Sequence, residues 1–241
     1  MFDHVTIGAG QREASERFYG LVLSPLCIER TGAGEDFDEW DDFSLAQASA
    51  ERPVTRRLHI GFSAPSRAHV DEFWRVGREA GYRDDGAPGP RPQYGSDYYG
   101  GFLLDPDGNS AEAVHHETLR TDGGVDHVWI RVRDVAASRR FYELAGSHAG
   151  FGLSGDTPER AQFKGSSGSF SVVAGQAPTE NLHMAFPADE AAVRDFHRAM
   201  LEAGYRDNGG PGERSAYHAG YYSAYVLDPD ANNVEVVDHH R

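Results

Sequence analysis

The chain repeats its own sequence at a spacing of 123 residues. FDHVTI near the start returns as VDHVWI, so that His4 corresponds to His127. Three further pairs of segments keep this spacing: Phe18-Tyr19 with Phe141-Tyr142, residues 80–84 (AGYRD) with 203–207, and residues 104–107 (LDPD) with 227–230. An internal repeat of this kind has to be recognised before any fold is assigned. We therefore predict two homologous domains, residues 1–118 and 123–241, joined through the flexible pair Gly123-Gly124.

Within each copy, short strands alternate with amphipathic helices. The pattern predicts one helix around residues 13–23 and another that places Val70, Phe73, Trp74 and Gly77 on one face. Gly81 follows that helix and is a natural left-handed cap. Strands then run through residues 98–104 and 110–115, separated by a DPDGN turn. Each copy is thus predicted to hold two βαβββ units.

Composition excludes several classes of function. A net charge of −15 would repel a nucleic-acid backbone. No apolar run approaches the roughly 18 residues of a membrane-spanning helix, and the N-terminus lacks a signal sequence. The single cysteine, Cys27, cannot form an internal disulfide bond. We expect a cytoplasmic protein, monomeric or homodimeric, whose partner is a small molecule.

Strand periodicity separates a core face from an open face. In RLHIGF, Leu58, Ile60 and Phe62 point one way while His59 and Gly61 point the other. The second copy, NLHMAF, repeats this with His183, after an insertion of one residue that makes the local spacing 124. The last strands carry a glutamate between apolar neighbours, Glu112 in one copy and Glu235 in the other. A buried carboxylate is costly unless something cationic holds it.

This pattern resembles the vicinal oxygen chelate superfamily, which includes glyoxalase I, extradiol dioxygenases, epimerases, fosfomycin resistance enzymes and bleomycin-binding proteins. The resemblance covers essentially the whole chain. It implies an α+β fold with two tandem glyoxalase-like domains, each a cup-shaped, mostly antiparallel sheet with helices outside. It also implies metal ligands on the first, fifth and last strands of each copy, namely His4, His59 and Glu112, and His127, His183 and Glu235.

Two arrangements of these ligands are open at this point. If each cup is completed within one copy, the two sets stay as the sequence orders them. If the copies exchange units, His4 joins His183 and Glu235, while His127 joins His59 and Glu112. Either set of two imidazoles and one carboxylate suits a divalent ion and leaves coordination positions open. We expect Fe, Mn, Zn or Ni. The opposing interpretation, that each histidine is an ordinary strand residue, is weakened by the recurrence of matched sets.

The sequence departs from particular members of the superfamily. Glyoxalase I would require a glutamate on the fourth strand, but residues 43–47 read FSLAQ and residues 170–174 read FSVVA. Gln47 is a neutral substitute at best, which disfavours the lactoylglutathione lyase reaction. Extradiol dioxygenases place a tyrosine ten residues before the last glutamate, as Tyr225 stands before Glu235. His218 lies two positions from where their acid-base histidine is expected.

Further residues are candidates for the walls of a pocket. Tyr98 and Tyr221 share strand parity with Phe102 and Tyr225, and we place Tyr98, Tyr221 and Tyr225 among the residues that take part in catalysis. Two loop arginines could receive an anionic group, although a solvated role is the more common one: Arg91 and Arg214. Four histidines end the two copies and are expected to be exposed: His115, His116, His239 and His240.

Two functions are compatible with these residues. One is a metal-dependent lyase, isomerase or dioxygenase in which the ion chelates adjacent oxygens of a small substrate. The alternative is a non-catalytic protein of the bleomycin-resistance type that sequesters a drug-like metabolite. The acidic segment 35–42, EDFDEWDD, supports the alternative, because Phe37 and Trp40 could offer flat surfaces to a cationic ligand.

Overall fold

Four βαβββ units follow one another along the chain, as predicted. The structure is a computed structural model that describes residues 1–120 and 122–240. The first unit comprises β1 (His4–Ala9), α1 (Arg12–Leu23) with a 3₁₀ turn (Ser24–Leu26), β2 (Gly32–Ala33), β3 (Phe37–Trp40) and β4 (Phe43–Gln47). The second comprises β5 (His59–Ser63), α2 (Arg67–Glu79), β6 (Arg83–Pro90), β7 (Tyr99–Leu104) and β8 (Ser110–His115). The third comprises β9 (Val125–Val132), α3 (Val135–Ala149), β10 (Gly152–Thr157), β11 (Arg160–Lys164) and β12 (Ser169–Ala174). The fourth comprises β13 (Leu182–Pro187), α4 (Glu190–Glu202), β14 (Arg206–Glu213), β15 (Tyr222–Leu227) and β16 (Asn233–Asp238).

The strands of the described residues form two mixed eight-stranded sheets. Their orders are β14-β15-β16-β13-β1-β4-β3-β2 and β10-β11-β12-β9-β5-β8-β7-β6. β5 and β8 are parallel, as are β13 and β16, whereas β6, β7 and β8 run antiparallel to one another. The prediction of an α+β fold with tandem, mostly antiparallel sheets is confirmed.

The chain divides into two compact units. Residues 6–129 form one unit, and residues 1–5 together with those from 130 onward form the other. Because the division falls within β1 and β9, it differs from the boundary of the sequence repeat. The domains 1–118 and 123–241 therefore describe the repeat, and as structural domains they stay a prediction.

From the helix onward, the second and fourth units keep the 123-residue spacing to the residue. Helix α2 spans residues 67–79 and α4 spans residues 190–202, and both place apolar side chains on a buried face. Gly81 and Gly204 follow these helices with φ of +89° and +85°, a left-handed conformation that glycine adopts without a Cβ penalty. None of the helices in the described ranges is long and apolar enough to cross a bilayer.

Each compact unit has its own aromatic core between helices and sheet. In residues 6–129, Tyr19 of α1 lies 4.6 Å from Phe43, which lies 5.1 Å from Phe62 of β5, measured between ring centroids. The second unit repeats this arrangement with Tyr142, Phe170 and Phe186. Burying such a side chain removes roughly 150–250 Å² from water, so the apolar face of each strand is strongly held against the helices. The alternate residues, His59 among them, consequently face the other way.

The glycine pair between the repeats is held in place rather than flexible. The backbone N–H groups of Gly124 and Val125 each donate to Asp42 Oδ1 at 2.9 Å. The guanidinium of Arg120 contacts the other oxygen of the same buried carboxylate. A Cβ on Gly123 would lie 2.4 Å from that oxygen, so glycine serves close packing here.

Candidate metal centres

Two clusters of two histidines and one glutamate lie on the open faces of the sheets. The first, the His127 centre, comprises His59, Glu112 and His127 and lies within residues 6–129. The second, the His4 centre, comprises His4, His183 and Glu235 and lies within the other compact unit. These groupings are the ones expected if the repeats exchange units, so each centre combines residues of both sequence copies.

Sheet register assembles the His127 centre. Gly61 of β5 pairs with Glu112 of the parallel strand β8 and with His127 of the antiparallel strand β9. His59 lies two residues before Gly61 and therefore shares its face. The His59 Nε2 atom is 3.0 Å from Glu112 Oε2 and 3.2 Å from His127 Nε2, and the latter two atoms are 3.2 Å apart.

Gly61 gives the His127 ring its space. A Cβ at this position would stand 2.3 Å from the imidazole Cε1 and 2.8 Å from Nε2. Non-bonded carbon atoms do not approach this closely, so any side chain at position 61 would displace the His127 ring. With glycine there, His127 lies deep against the sheet with only 7% of its side chain exposed.

Hydrogen bonds on the far side of each ring determine where the imidazole protons are. His127 Nδ1 lies 2.8 Å from Asp126 Oδ2, and a carboxylate only accepts, so the proton is on Nδ1. His59 Nδ1 lies 3.2 Å from the hydroxyl of Ser110, which itself donates to Asp85 at 2.7 Å. Ser110 therefore accepts from His59. Both neutral rings then turn a lone pair towards Glu112.

When both rings are neutral, three acceptor atoms converge without a hydrogen atom between them, and a cation, either a metal ion or a proton, resolves this arrangement. Ligand distances of about 2.0–2.2 Å place neighbouring octahedral donors about 2.8–3.1 Å apart and tetrahedral donors about 3.3–3.6 Å apart. The observed separations of 3.0 to 3.2 Å lie within or just above the octahedral range. The donor set fits a divalent transition metal ion.

The electrostatics of the metal-free centre agree with this chemistry. Burial opposes ionisation of Glu112, but hydrogen bonds from His127 and His59 outweigh it and lower the pKa of this carboxyl to about 2. Burial likewise opposes protonation of His127, but Asp126 and Glu112 raise its pKa to about 10. Without a metal, a proton supplies the positive charge that the converging acceptors require.

The His4 centre has the same ligand types in a looser arrangement. His183 Nε2 lies 2.9 Å from Glu235 Oε2 and 3.1 Å from His4 Nε2, but His4 Nε2 lies 3.6 Å from that carboxylate oxygen. Ala185 stands where the other centre has Gly61, and it pairs with Glu235. Because alanine carries a Cβ, the imidazole cannot settle as deeply, and 25% of the His4 side chain is exposed.

The remote nitrogens of the His4 centre are also hydrogen-bonded. His4 Nδ1 lies 2.8 Å from Asp3 Oδ1, which places its proton on Nδ1. His183 Nδ1 lies 2.7 Å from the side-chain amide of Asn233, which contacts Asn208 at 2.9 Å. Asn233 Oδ1 accepts from Asn208, so Asn233 Nδ2 donates to His183 Nδ1, and the neutral ring carries its proton on Nε2, towards Glu235. The opposite tautomer requires both amides to be reversed. Burial opposes ionisation of Glu235, and its hydrogen bond with His183 lowers its pKa.

A tyrosine holds the second oxygen of each glutamate. Tyr98 donates to Glu112 Oε1 and Tyr221 donates to Glu235 Oε1, both at 2.8 Å. Burial, together with the adjacent carboxylate charge, raises the pKa of both phenols well above the ordinary value, so each remains a donor. Each glutamate therefore presents a single oxygen, Oε2, to its two histidines.

The third predicted tyrosine, Tyr225, occupies a different place. Its ring centroid lies 6.2 Å from that of His183, and its hydroxyl accepts a hydrogen bond of 2.9 Å from Ser223. Burial and the charge of Glu235 raise the pKa of Tyr225. The corresponding residues of the His127 centre are Gly100 and Phe102, so only the His4 centre has this pair of hydroxyls.

Sequence reasoning missed the aspartates that orient the histidines. Asp3 and Asp126 directly precede His4 and His127, and the repeated dipeptide Asp-His was visible in the two copies. Strand periodicity does not predict this contact, because adjacent residues of a regular strand point to opposite faces. Here each aspartate lies at or next to the first residue of its strand, and its side chain contacts the following histidine. Hydrogen bonds between a carboxylate and a ligand histidine raise the basicity of the ligand.

The expectation that all four terminal histidines are exposed is wrong for three of them, His115, His116 and His239. His116 Nε2 lies 3.3 Å from Asp126 Oδ1, and His239 Nε2 lies 2.7 Å from Asp3 Oδ2. Each therefore supports the aspartate that orients a centre. His115 contacts the carbonyl of Ala64, whereas 40% of the His240 side chain is exposed. The reason for the error is that these residues end a central strand, so the sheet carries them beside the centres.

The structure does not support a cation site at residues 35–42. Trp40 is a core residue, only 2% exposed, and therefore offers no surface to a ligand. Asp38 is fully buried, 2.5 Å from Arg12 Nη1 and in contact with Arg30, and Asp42 is buried with Arg120. Of the two aromatic residues only Phe37 is exposed, at 41%. Two carboxylates of the segment, Asp38 and Asp42, are therefore used for internal ion pairs.

The other candidates have structural contacts. Gln47 donates to the carbonyl groups of Ala9 and Ala48 rather than standing beside either histidine cluster. Arg91 and Arg214 donate to backbone carbonyls at 2.6 and 2.7 Å. They also cover the rings of Phe102 and Tyr225, with the guanidinium carbon 5.3 and 5.4 Å from the ring centroids. A positive charge thus lies near each centre.

Comparisons with known proteins agree with the fold. Residues 1–113 match the sequence profile of the "Glyoxalase/Bleomycin resistance protein/Dioxygenase superfamily". Glyoxalase I from Zea mays is 17% identical in sequence, with a TM-score of 0.68 over 99% of this chain and 92% of the maize chain. Its V278E mutant gives 16% identity and a TM-score of 0.70 over the same shares. No curated protein sequence matches the chain.

Proposed function

Because residues 1–113 match the profile of the glyoxalase, bleomycin resistance protein and dioxygenase superfamily, we propose that the chain is a metal-dependent enzyme of this superfamily acting on a small molecule. A divalent ion, Fe, Mn, Zn or Ni, would be held by two histidines and one glutamate and would chelate two adjacent oxygens of the substrate. The observation that carries this proposal is the convergence of three acceptor atoms at the His127 centre, with the imidazole protons held on the far side of both rings.

The residues of the centre have distinct roles in this proposal. His59, His127 and Glu112 would bind the ion, which supplies Lewis acidity and a template for the substrate. Asp126 and Ser110 hold the two rings in the tautomer that coordinates. Tyr98 occupies the second oxygen of Glu112, so the glutamate would bind through one oxygen and leave positions for substrate.

Aromatic rings surround the His127 centre. Trp129 lies 6.0 Å and Phe102 lies 5.8 Å from the ring of His59, and Tyr94 lies 5.5 Å from Trp129, measured between centroids. Such walls favour a substrate with a flat or apolar portion next to its chelating oxygens. The guanidinium group over Phe102 favours a neutral or anionic substrate over a cationic one.

The alternative, sequestration of a cationic drug-like molecule, loses its main support. It depended on Phe37 and Trp40, and Trp40 is buried in the core. The lactoylglutathione lyase reaction is likewise disfavoured, since the fourth strands carry no acid and Gln47 is engaged by backbone carbonyls. We therefore propose a lyase, isomerase or dioxygenase whose substrate differs from that of lactoylglutathione lyase.

The test measures metal content and turnover together. Protein dialysed against chelator is reloaded with Fe²⁺, Mn²⁺, Zn²⁺ or Ni²⁺ and assayed with catechols, 2-hydroxy ketones and α-dicarbonyl adducts, by absorbance and oxygen uptake. The expected result is metal binding at the two centres and turnover of one class; combining Glu112→Gln with Glu235→Gln should abolish turnover and remove the ions of both centres. A wild-type protein that binds metal no better than this double variant would refute the proposal.

A further inference from the structure

Two further histidines, His218 and His239, form a pair next to the His4 centre. His218 precedes β15, and His239 follows β16. The His218 Nε2 atom lies 2.9 Å from His239 Nδ1, and the two rings are stacked with centroids 5.1 Å apart and planes inclined by 16°. The pair His4 and His183 has the same centroid separation of 5.1 Å, an inclination of 11° and nitrogens 3.1 Å apart.

The proton positions in this pair repeat those of the neutral rings in the His127 centre. His218 Nδ1 lies 2.8 Å from the carbonyl oxygen of Ala219, which only accepts, so the ring proton is on Nδ1. His239 Nε2 lies 2.7 Å from Asp3 Oδ2, which places its proton on Nε2. The two nitrogens that face each other are therefore both lone-pair acceptors when the rings are neutral.

Asp3 links this pair to the His4 centre. One oxygen of this carboxylate contacts His4 Nδ1 at 2.8 Å and the other contacts His239 Nε2 at 2.7 Å. A carboxylate behind the remote nitrogen is the usual support of a metal-binding histidine, because it fixes the tautomer and increases ligand basicity. Both His4 and His239 have this support from the same side chain.

We propose that His218 and His239 form an ancillary binding site for a divalent transition metal ion, distinct from the two centres. At ligand distances of about 2.0–2.1 Å, donors 2.9 Å apart subtend about 90° at the ion. That angle belongs to square-planar or octahedral coordination rather than to a tetrahedron, so Ni²⁺ and Cu²⁺ fit better than Zn²⁺. Water would complete the coordination.

Among the described residues, the pair has no counterpart at the equivalent positions of the first copy. At the 123-residue spacing, His239 corresponds to His116, but His218 corresponds to Gly95. His116 Nδ1 instead lies 3.2 Å from the hydroxyl of Thr118. His116 is therefore a matched control, with the same support from an aspartate and no partner histidine at position 95.

The experiment counts Ni²⁺ ions in a protein whose two centres have been disabled. Chelator-treated Glu112→Gln/Glu235→Gln protein is titrated by calorimetry, and Cu²⁺ loading gives the number of coordinated nitrogens by electron paramagnetic resonance. One ion with two nitrogen ligands is expected. Adding His218→Asn should remove that ion, whereas adding His116→Asn should leave it. His218→Asn in the wild-type background should reduce the number of bound ions by one. This variant tests the site even if the double variant does not fold.

The outcomes separate this proposal from the proposed function. A wild-type protein that binds one ion, lost with His218→Asn and unaffected by the two glutamine substitutions, would support the ancillary site and refute metal binding at the centres. A natively folded double variant that binds no ion would overturn the ancillary site, as would binding that persists after His218→Asn.

Discussion

Tyr98 donates a hydrogen bond of 2.8 Å to Oε1 of Glu112, while Oε2 of the same carboxylate faces His59 and His127. The tyrosine thus decides which oxygen the glutamate presents to an ion. Tyr98 lies beside the glutamate rather than at the outer wall of a pocket, so we assign it a positioning role.

Removal of this hydroxyl should weaken metal binding at the His127 centre. We expect Tyr98→Phe to raise the dissociation constant of the ion about 10-fold, because losing the partner of a ligand carboxylate typically costs 10–100-fold in affinity. The variant carries Glu235→Gln so that the other centre is silent, and affinity is measured by calorimetry. Tyr99→Phe is the control, since Tyr99 donates to Asp71 at the surface. Equal affinities for the two variants would contradict the positioning role.

Exchange of the small residues beside the two centres should shift their affinities in opposite directions. Gly61→Ala places a Cβ 2.3 Å from the present position of the His127 ring, so the ring must move and the His127 centre should lose affinity. Ala185→Gly should let His4 settle more deeply and tighten the His4 centre. Each centre is measured with the glutamate of the other replaced by glutamine. Affinities that rise with Gly61→Ala would show that ring depth does not control binding.

The metal-free protein should lose stability as the pH rises towards 10. The pKa of His127 is raised to about 10 in the folded state, from about 6.5 when unfolded, by Asp126 and Glu112 against the effect of burial. Its contribution is fully present below about pH 6.5 and is lost as the pH rises through about 10. Urea unfolding of chelator-treated protein across this range measures the decline.

Asp126→Asn should reduce that decline, because the substitution removes one of the two charges that raise the pKa of His127. The same variant should bind metal more weakly, since an amide no longer fixes the proton on Nδ1. Metal binding to the unsubstituted protein should release protons, which calorimetry in buffers of different ionisation enthalpy detects. Binding without proton release at pH 7 would contradict the assigned protonation.

Loss of the carboxylate at position 42 should destabilise the fold without affecting the metal centres. Asp42 is buried with Arg120 and accepts hydrogen bonds from Gly124 and Val125. Asp42→Ala leaves a buried guanidinium without its carboxylate, and breaking such a pair typically costs about 3–5 kcal/mol. Urea unfolding of metal-free protein gives the change. The exposed neighbour provides the control, Asp41→Asn, which should change the free energy of unfolding by less than about 0.5 kcal/mol.

Turnover at the His4 centre should depend on Tyr225. With Glu112→Gln silencing the other centre, Tyr225→Phe should lower kcat about 100-fold, the range of a lost proton donor, while metal content stays unchanged. The substitution gives the His4 centre the phenylalanine that the His127 centre has at Phe102. Unchanged kcat would assign Tyr225 to the pocket wall alone.

The sequence predicted the ligands better than their grouping. Strand parity identified the open-face positions of His59 and Glu112, and the repeat supplied matching positions in the second copy. The sequence leaves open whether His4 or His127 joins His59 and Glu112. The choice depends on the pairing of β5 with β9, which is a long-range contact that no local pattern encodes. The same reason explains the misplaced Trp40, since its burial depends on the helix that covers β3.

The contacts that adjust each centre were largely beyond prediction. Tyr98 and Tyr221 were identified by parity, yet their hydrogen bonds to the glutamates require the exact height of each ring above the sheet. Chain position predicts that His239 is exposed, whereas the end of β16 lies beside Asp3, which His239 contacts. Distances of this kind follow from the packing of whole sheets, and a periodic pattern reports only the direction in which a residue points.

Beneath the ligand histidine of the first strand, the two centres differ by one methyl group, because Gly61 of the His127 centre corresponds to Ala185 of the His4 centre. If the deeper His127 centre is also the tighter one, a limited supply of metal will fill the two sites in sequence rather than together. Between the two dissociation constants, most molecules would carry one ion, and always at the same position. The protein would then respond to metal supply in two steps, with the second step available only to cells that have metal to spare.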